Sequence, residues 1–285
     1  MLLFVDNLTN VDFSYLDPAR GVVGETWLAN IRLHGDLDEQ SMVCDFGQVK
    51  SITRQWLDTE LDHRLAVPAH SERLSLRHDG DRLELSWQLD SGDFIELSCP
   101  RESVALVQAA ELSPTSVAQW CATQLMQAFA NPLQKLELDF TTEVIEGAFY
   151  HYSHGLKKHD GNCQRIAHGH RSRIDIWLDD SKSPALEQQW SERWRDIYIG
   201  TREDIVGEEL CQGRPYYQFA YQAPQGHFRL SLPQTQCYII ESDTTVECLA
   251  EHIAAVISAE HPGRRLRVRA YEGINKGAEA FRHYS

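Results

Sequence analysis

Four residues in the second half of the chain have types and spacing suited to chemistry: His154, Cys163, His168 and His170. His168 and His170 open an alternating segment, and a spacing of two in a strand puts both imidazoles on one face. His154 stands near the end of the preceding strand, where a hairpin brings it beside them. Three neutral imidazoles with one open position make a usual catalytic zinc arrangement, in which the metal polarises a substrate oxygen. Cys163 lies in the connecting loop between Asn162 and Arg165. It is open to three readings: fourth metal ligand, general base, or small buried residue. Arg165 and the polar neighbours count against the last, because nearby positive charge makes a thiolate more available.

The same stretch holds the one dense basic island, Lys157, Lys158, Arg165, Arg171 and Arg173, in a chain of formal net charge −15. Affinity for nucleic acid rests on clustered Lys and Arg across a surface, so that partner is not expected. A local island in an acidic protein points instead to a small anionic ligand.

The elements that must position these residues follow from pattern. The 285 residues, 42% hydrophobic and 24% charged, are ordinary for a folded chain. No apolar run approaches the roughly 20 residues that span a bilayer, so no membrane partner is expected. The opening segment carries Asp6 where a signal peptide needs basic residues. The seven cysteines are odd in number and scattered, against a disulfide framework. These features predict a cytoplasmic protein.

A weak internal repeat of about 145 residues organises the chain. The segment from Gly24 to Leu33 lines up with Gly169 to Leu178, and Gly92 to Leu97 with Gly226 to Leu230. Ser113-Pro114-Thr115 answers Asp243-Thr244-Thr245. In the first half, strands are predicted near 2–15 and 25–35 and a helix over 46–61. A hairpin turns at Asp90-Ser91-Gly92, a helix runs from Ser113 or Pro114 to Asn131-Pro132, and a strand covers 133–140. In the second half, strands are predicted near 148–156 and 170–178, and a helix near 185–198. A hairpin-rich stretch covers 214–240, a helix runs from the Ser242–Thr244 cap to His261, and a strand covers 264–273. The fold class is α+β.

These residues resemble the 6-pyruvoyltetrahydropterin and 6-carboxytetrahydropterin synthase family. The resemblance is carried by Tyr150 to His154, Cys163 and His168-Gly169-His170. Leu61-Asp62-His63 is similar to the family's Leu-Asp-His relay, and Asp45-Phe46-Gly47 to its Asp-Phe-Gly segment. Thr245, Glu247 and Tyr271-Glu272 are similar to its pterin-facing residues.

The resemblance implies two tandem tunnelling-fold (T-fold) units, 1–146 without the metal ligands and 147–285 with them. Each would be an antiparallel four-stranded sheet with two helices on one face and an inserted hairpin. The first half keeps Asp62 and His63 but has Val23 and Glu25 where the second half has His168 and His170. The second half has no Leu-Asp-His. The expectation is a composite site: Zn2+ on His154, His168 and His170, with Cys163, Asp62 and His63 catalytic. Glu272, Glu247 and Thr245 would face the pterin, and Lys157 and Arg165 a triphosphate.

The implied activity is that of a lyase converting 7,8-dihydroneopterin triphosphate to a 6-substituted tetrahydropterin with loss of triphosphate. The 6-carboxy product of queuosine precursor synthesis is the first reading and the 6-pyruvoyl product the second. A non-catalytic pterin- or purine-binding paralogue is the alternative class. A homo-oligomer through sheet-edge pairing is implied too.

Overall fold

In the computed structural model, which describes residues 1–129 and 133–284, one order of elements occurs twice. The first pass runs β1 (Leu2–Asp17), β2 (Gly21–His34), α1 (Phe46–Glu60) and β3 (Leu65–Pro68). It continues with β4 (Leu74–Asp79), β5 (Arg82–Gln88), β6 (Phe94–Pro100), β7 (Val104–Val107), α2 (Pro114–Leu125) and β8 (Lys135–Thr141). The second pass runs β9 (Phe149–His154), β10 (His168–Leu178), the two-residue β11 (Ser181–Lys182), α3 (Pro184–Arg193) and β12 (Ile197–Thr201). It continues with β13 (Ile205–Cys211), β14 (Arg214–Ala223), β15 (Gly226–Pro233), β16 (Cys237–Ile240), α4 (Val246–Glu260), β17 (Leu266–Tyr271) and β18 (Gly277–Arg282). The expected end of the second helix at Asn131-Pro132 lies outside the described residues.

The helices start where capping chemistry places them. Asp45 accepts a hydrogen bond from the Gln48 amide at the head of α1, and Val49, Thr53 and Leu57 then recur at helical spacing on its buried face. Ser113 caps α2 with Pro114 behind it, and Thr245 caps α4. α1 and α2 cover Phe13, Trp27, Ile31 and Leu33 of the first sheet, and α3 and α4 cover Tyr152, Ile174, Ile176 and Val268 of the second. Each fully buried side chain of this kind contributes about 1.5–3 kcal/mol.

Three expectations need correction. The sheet of each half is mixed, not antiparallel and four-stranded: the orders are β7-β3-β1-β2-β8 and β16-β12-β9-β10-β17-β18. β3 pairs in parallel with both β1 and β7, and β12 with both β9 and β16. Strands such as Leu65–Pro68 are buried at every position, so no alternation marks them. The helix expected over 185–198 stops at Arg193. Asp196 then takes φ 53°, and the fully buried Ile197–Thr201 extends as a strand. Finally, the excursions between paired elements are three-stranded and join in one antiparallel sheet, β13-β14-β15-β6-β5-β4, through the β15–β6 pair.

The two halves also meet at β1 and β2 against β9 and β10. β2 is buried at nearly every position, because helices cover one face and the other half covers the second. A Cβ on Gly24 would stand 1.8 Å from the Tyr152 carbonyl oxygen and 2.6 Å from the His170 amide nitrogen. Only glycine permits that approach. Ser14 and Ser153 hydroxyls meet across it at 2.7 Å.

Candidate metal centre and its neighbours

The hairpin of β9 and β10 pairs His168 with His154 and His170 with Tyr152. This register places three imidazoles on one face, all fully buried. Their ligand atoms lie within 4.8 Å of one another. His154 Nδ1 donates to the Thr244 carbonyl at 3.0 Å, and His168 Nδ1 to the Arg165 carbonyl at 2.8 Å. A carbonyl only accepts, so in each neutral ring Nδ1 carries the proton and Nε2 presents a lone pair.

None of the three Nε2 atoms has a hydrogen-bond partner among the described residues. Burial, with the charge of neighbouring histidines, holds the pKa values of His154 and His168 well below the usual range. Both therefore stay in the form that binds a metal. Buried, unpartnered and convergent nitrogens fit a metal ion.

His170 is oriented by a residue that sequence reasoning missed. Asp12, 1% exposed on β1, places Oδ1 3.3 Å from His170 Nδ1. The Thr26 hydroxyl donates to the same oxygen at 2.6 Å, and Lys276 Nζ lies 3.0 Å from the other. Burial would raise this carboxyl's pKa, but His170 beside it, the Lys276 ammonium and the Thr26 hydroxyl outweigh burial and hold Asp12 well below the carboxylate range. A carboxylate behind a metal-ligating imidazole fixes the ring and raises its basicity. The one signal in the sequence was a lone acid between Val11 and Phe13 in an apolar strand.

Asp62 and His63 of the same chain reach this cluster. α1 ends at Leu57–Leu61, where the Leu61 and Asp62 amides both bond the Leu57 carbonyl. His63 then turns the chain in the left-handed region at φ 55°, its amide donating to the Asp12 carbonyl at 2.7 Å. Such a conformation costs about 1–2 kcal/mol in a non-glycine residue and is held here by its surroundings. The Asp12 amide donates to Asp62 Oδ1 at 2.8 Å, and Asp62 Oδ2 bonds His63 Nδ1.

His63, Cys163 and His168 present ligand atoms within 4.8 Å of one another, and the rings of His63 and His168 lie 5.1 Å apart. Burial would lower the His63 pKa, but its bonds to Asp62 and Cys163 raise it to about 10. A carboxylate, an imidazole and a thiol thus stand in line beside the histidine cluster, an arrangement able to shuttle protons next to a Lewis acid.

The other expected residues divide. Glu272 joins the cluster, with Oε1 3.7 Å from His170 Nε2. Arg165 is buried beside Cys163, donating to Gln225 Oε1 at 3.1 Å and to the Asp62 carbonyl at 3.5 Å. Burial, and the charge of Arg64, lower its pKa to about 10. Lys157 is not brought to an open anion site, because Asp204 at 2.5 Å and Glu203 at 2.8 Å already occupy its charge.

Thr245 is used as the helix cap, accepting from the Cys248 amide at 3.4 Å. Glu247 is exposed on α4, in a shallow surface cavity with Cys248, Glu251 and His252. It is not brought to the histidines. The β14–β15 turn does reach the Cys163 loop, but through Gln225, whose side-chain amide donates to Asn162 at 2.8 Å; His227 is exposed.

The corresponding place in the first half is filled differently. Tyr15 pairs with Val23, and Phe13 with Glu25, in the register that His154 and His168, and Tyr152 and His170, adopt in the second. Arg20 donates to the Tyr15 hydroxyl at 2.8 Å and to Asp196 at 2.9 Å through Nε. Asp196, at φ 53°, follows α3 as His63 follows α1. An ion pair stands where the second half gathers imidazoles.

Residues 11–141 match the family model of 6-pyruvoyl tetrahydropterin synthase. A Pyrococcus horikoshii protein that bears the provisional name 6-carboxy-5,6,7,8-tetrahydropterin synthase is 20% identical over 135 residues, 45% of this chain and 73% of that one. Among solved structures, a catalytic-residue mutant of Plasmodium vivax 6-pyruvoyltetrahydropterin synthase is 18% identical with a TM-score of 0.39, covering 50% of this chain and 90% of its own. The Plasmodium falciparum 6-pyruvoyl tetrahydropterin synthase is 16% identical with a TM-score of 0.37, covering 45% and 78%. The resemblance to the tetrahydropterin synthases read from the sequence is borne out. The family match falls on the half without the histidine cluster.

Proposed function

We propose that this chain is a zinc-dependent lyase acting on 7,8-dihydroneopterin triphosphate, with one composite site built from two tandem T-fold units, 1–146 and 147–285. The observation that carries the reading is the meeting of Asp62-His63, from the first half, with Cys163 and the buried His168, from the second. Zinc on His154, His168 and His170 would polarise the oxygens of the substrate's side chain. His63, held by Asp62, and Cys163 exchange the protons that such a rearrangement moves. Glu272 accepts hydrogen bonds from the guanidine-like edge of the pterin, and Arg165 faces its phosphates.

The product is the 6-carboxytetrahydropterin of queuosine precursor synthesis, with the 6-pyruvoyl product second. The seven free thiols suit a cytoplasmic, reducing setting. No helix among the described residues is long and apolar enough to cross a membrane. β8 and β18 end their sheets, and their edges suit pairing between copies in a homo-oligomer.

Metal analysis followed by mass spectrometry of the products from dihydroneopterin triphosphate tests the reading. Bound zinc with triphosphate release supports it, and the mass of the pterin product separates the two synthases. Absence of both zinc and triphosphate release would favour a binding paralogue.

A further inference from the structure

One charged group beside the histidine cluster has no ligand-facing part in that reading: Lys276, in the turn between β17 and β18. The turn is held tightly. Gly273 takes φ 71°, and its amide donates to Ser172 Oγ at 3.1 Å. A Cβ there would stand 2.5 Å from Asp12 Oδ1, so only glycine lets the turn settle against β1. Asn275 is also left-handed, at φ 58°, and the Glu272 amide donates to the Lys276 carbonyl at 3.0 Å. The two ends of one turn thus set Glu272 and Lys276 side by side. Lys276 Nζ lies 3.0 Å from Asp12 Oδ2 and 3.9 Å from Glu272 Oε2, while Glu272 Oε1 lies 3.7 Å from His170 Nε2. An ammonium has three hydrogens to donate. Asp12 takes one, Glu272 stands beyond hydrogen-bond reach, and Lys276 enters no other ion pair among the described residues. Neutralising Asp12 therefore leaves donors over, on a side chain that is half-exposed beside Glu272.

We infer that Lys276 is a specificity-determining residue, its ammonium donating to the 4-oxo oxygen of a pterin whose 2-amino group and ring N–H donate to Glu272. The inference rests on the reading of Glu272 as the group that takes the pterin edge, and adds which heterocycles that edge admits. An acceptor and a donor side by side match an amino-oxo ring, whose edge runs donor, donor, acceptor. They mismatch a diamino ring, which turns an N–H towards the ammonium and leaves the Lys276 donor unpaired. A site built to hydrogen-bond one group rejects an analogue that lacks it far more strongly than shape alone can. The bond to Asp12, from the other half of the chain, holds the ammonium in place before a ligand arrives, so little rotamer freedom is lost on binding.

The test measures, by calorimetry on the zinc-loaded protein, affinity for pterin and for 2,4-diaminopteridine, which carries an amino group in place of the 4-oxo oxygen. Parent, Lys276→Met, Lys276→Arg and Glu272→Gln proteins are compared. The parent should prefer pterin. In Lys276→Met the ratio of the two affinities should fall by at least about tenfold, the effect of losing a hydrogen bond from a charged donor. Lys276→Arg, which keeps charge and donors, should retain most of the preference. A lysine that only neutralises Asp12 would weaken both ligands alike and leave the ratio where it was. A parent without preference, or an unchanged ratio in Lys276→Met, therefore overturns the inference. If Glu272→Gln still weakens pterin binding, that result leaves the synthase reading standing. A parent that binds neither compound removes the synthase reading, and the role of Lys276 with it.

Discussion

Asp12 and His170 belong to different halves of the chain and meet at 3.3 Å, carboxylate to Nδ1, where both are buried. The histidine cluster proposed to hold the metal therefore depends on how the halves pack. Asp12 also sets the other wing, because its amide holds Asp62 and its carbonyl holds the His63 amide.

Asp12→Asn keeps the shape and removes the charge behind His170. Zinc affinity should fall about 10–100-fold, the usual cost of losing an outer-sphere partner. A competition titration with a chromogenic chelator measures it. Affinity unchanged from the parent protein would mean that Asp12 is only a structural group.

Gly24→Ala places a methyl group against the Tyr152 carbonyl and the His170 amide, with no side chain to give way. Destabilisation of about 1–3 kcal/mol or more is expected, together with weaker zinc binding, since β10 must shift. Urea unfolding with and without zinc checks both. A variant as stable as the parent would show that the two sheets have slack at this crossing.

Glu25 and His151 make stability depend on pH in opposing ways. Burial raises the Glu25 carboxyl from 4.5 to about 7 and lowers His151 from 6.5 to about 4. As pH rises through the Glu25 window, the unfolded chain has lost a proton that the folded chain keeps, so stability falls. As pH falls through the His151 window, the unfolded chain gains a proton that the folded chain refuses, so stability falls again. Glu25→Gln removes only the first slope. Relative to the parent it should gain stability as pH rises towards about 7, by at most about 3 kcal/mol, and level off above. Denaturation series from about pH 5 to about pH 8 give the difference curve; a flat difference would mean that Glu25 is not perturbed.

The sequence made the histidine cluster legible because a spacing of two has one meaning in a strand, and the β9–β10 register honours it. Helix starts were legible too: a cap at Ser113 announced α2, and the helix expected over 46–61 begins at Phe46. Short buried strands such as Leu65–Pro68 were not, since a run without alternation fits several structures. Asp12 was hidden because its role is defined by a residue 158 positions away. Lys157 misled because a charge read from sequence says nothing of the Asp204 beside it.

The central claim is that each chain builds a whole site from its two halves. It is tested most directly by mixing two inactive variants, His63→Ala and Cys163→Ala, after unfolding and refolding them together so that any oligomers are mixed. If Asp62-His63 serves the Cys163 of its own chain, the mixture stays as inactive as either variant alone while zinc content is retained. Recovery of turnover in the mixture would contradict the account, because it would show that His63 of one chain completes the site of another.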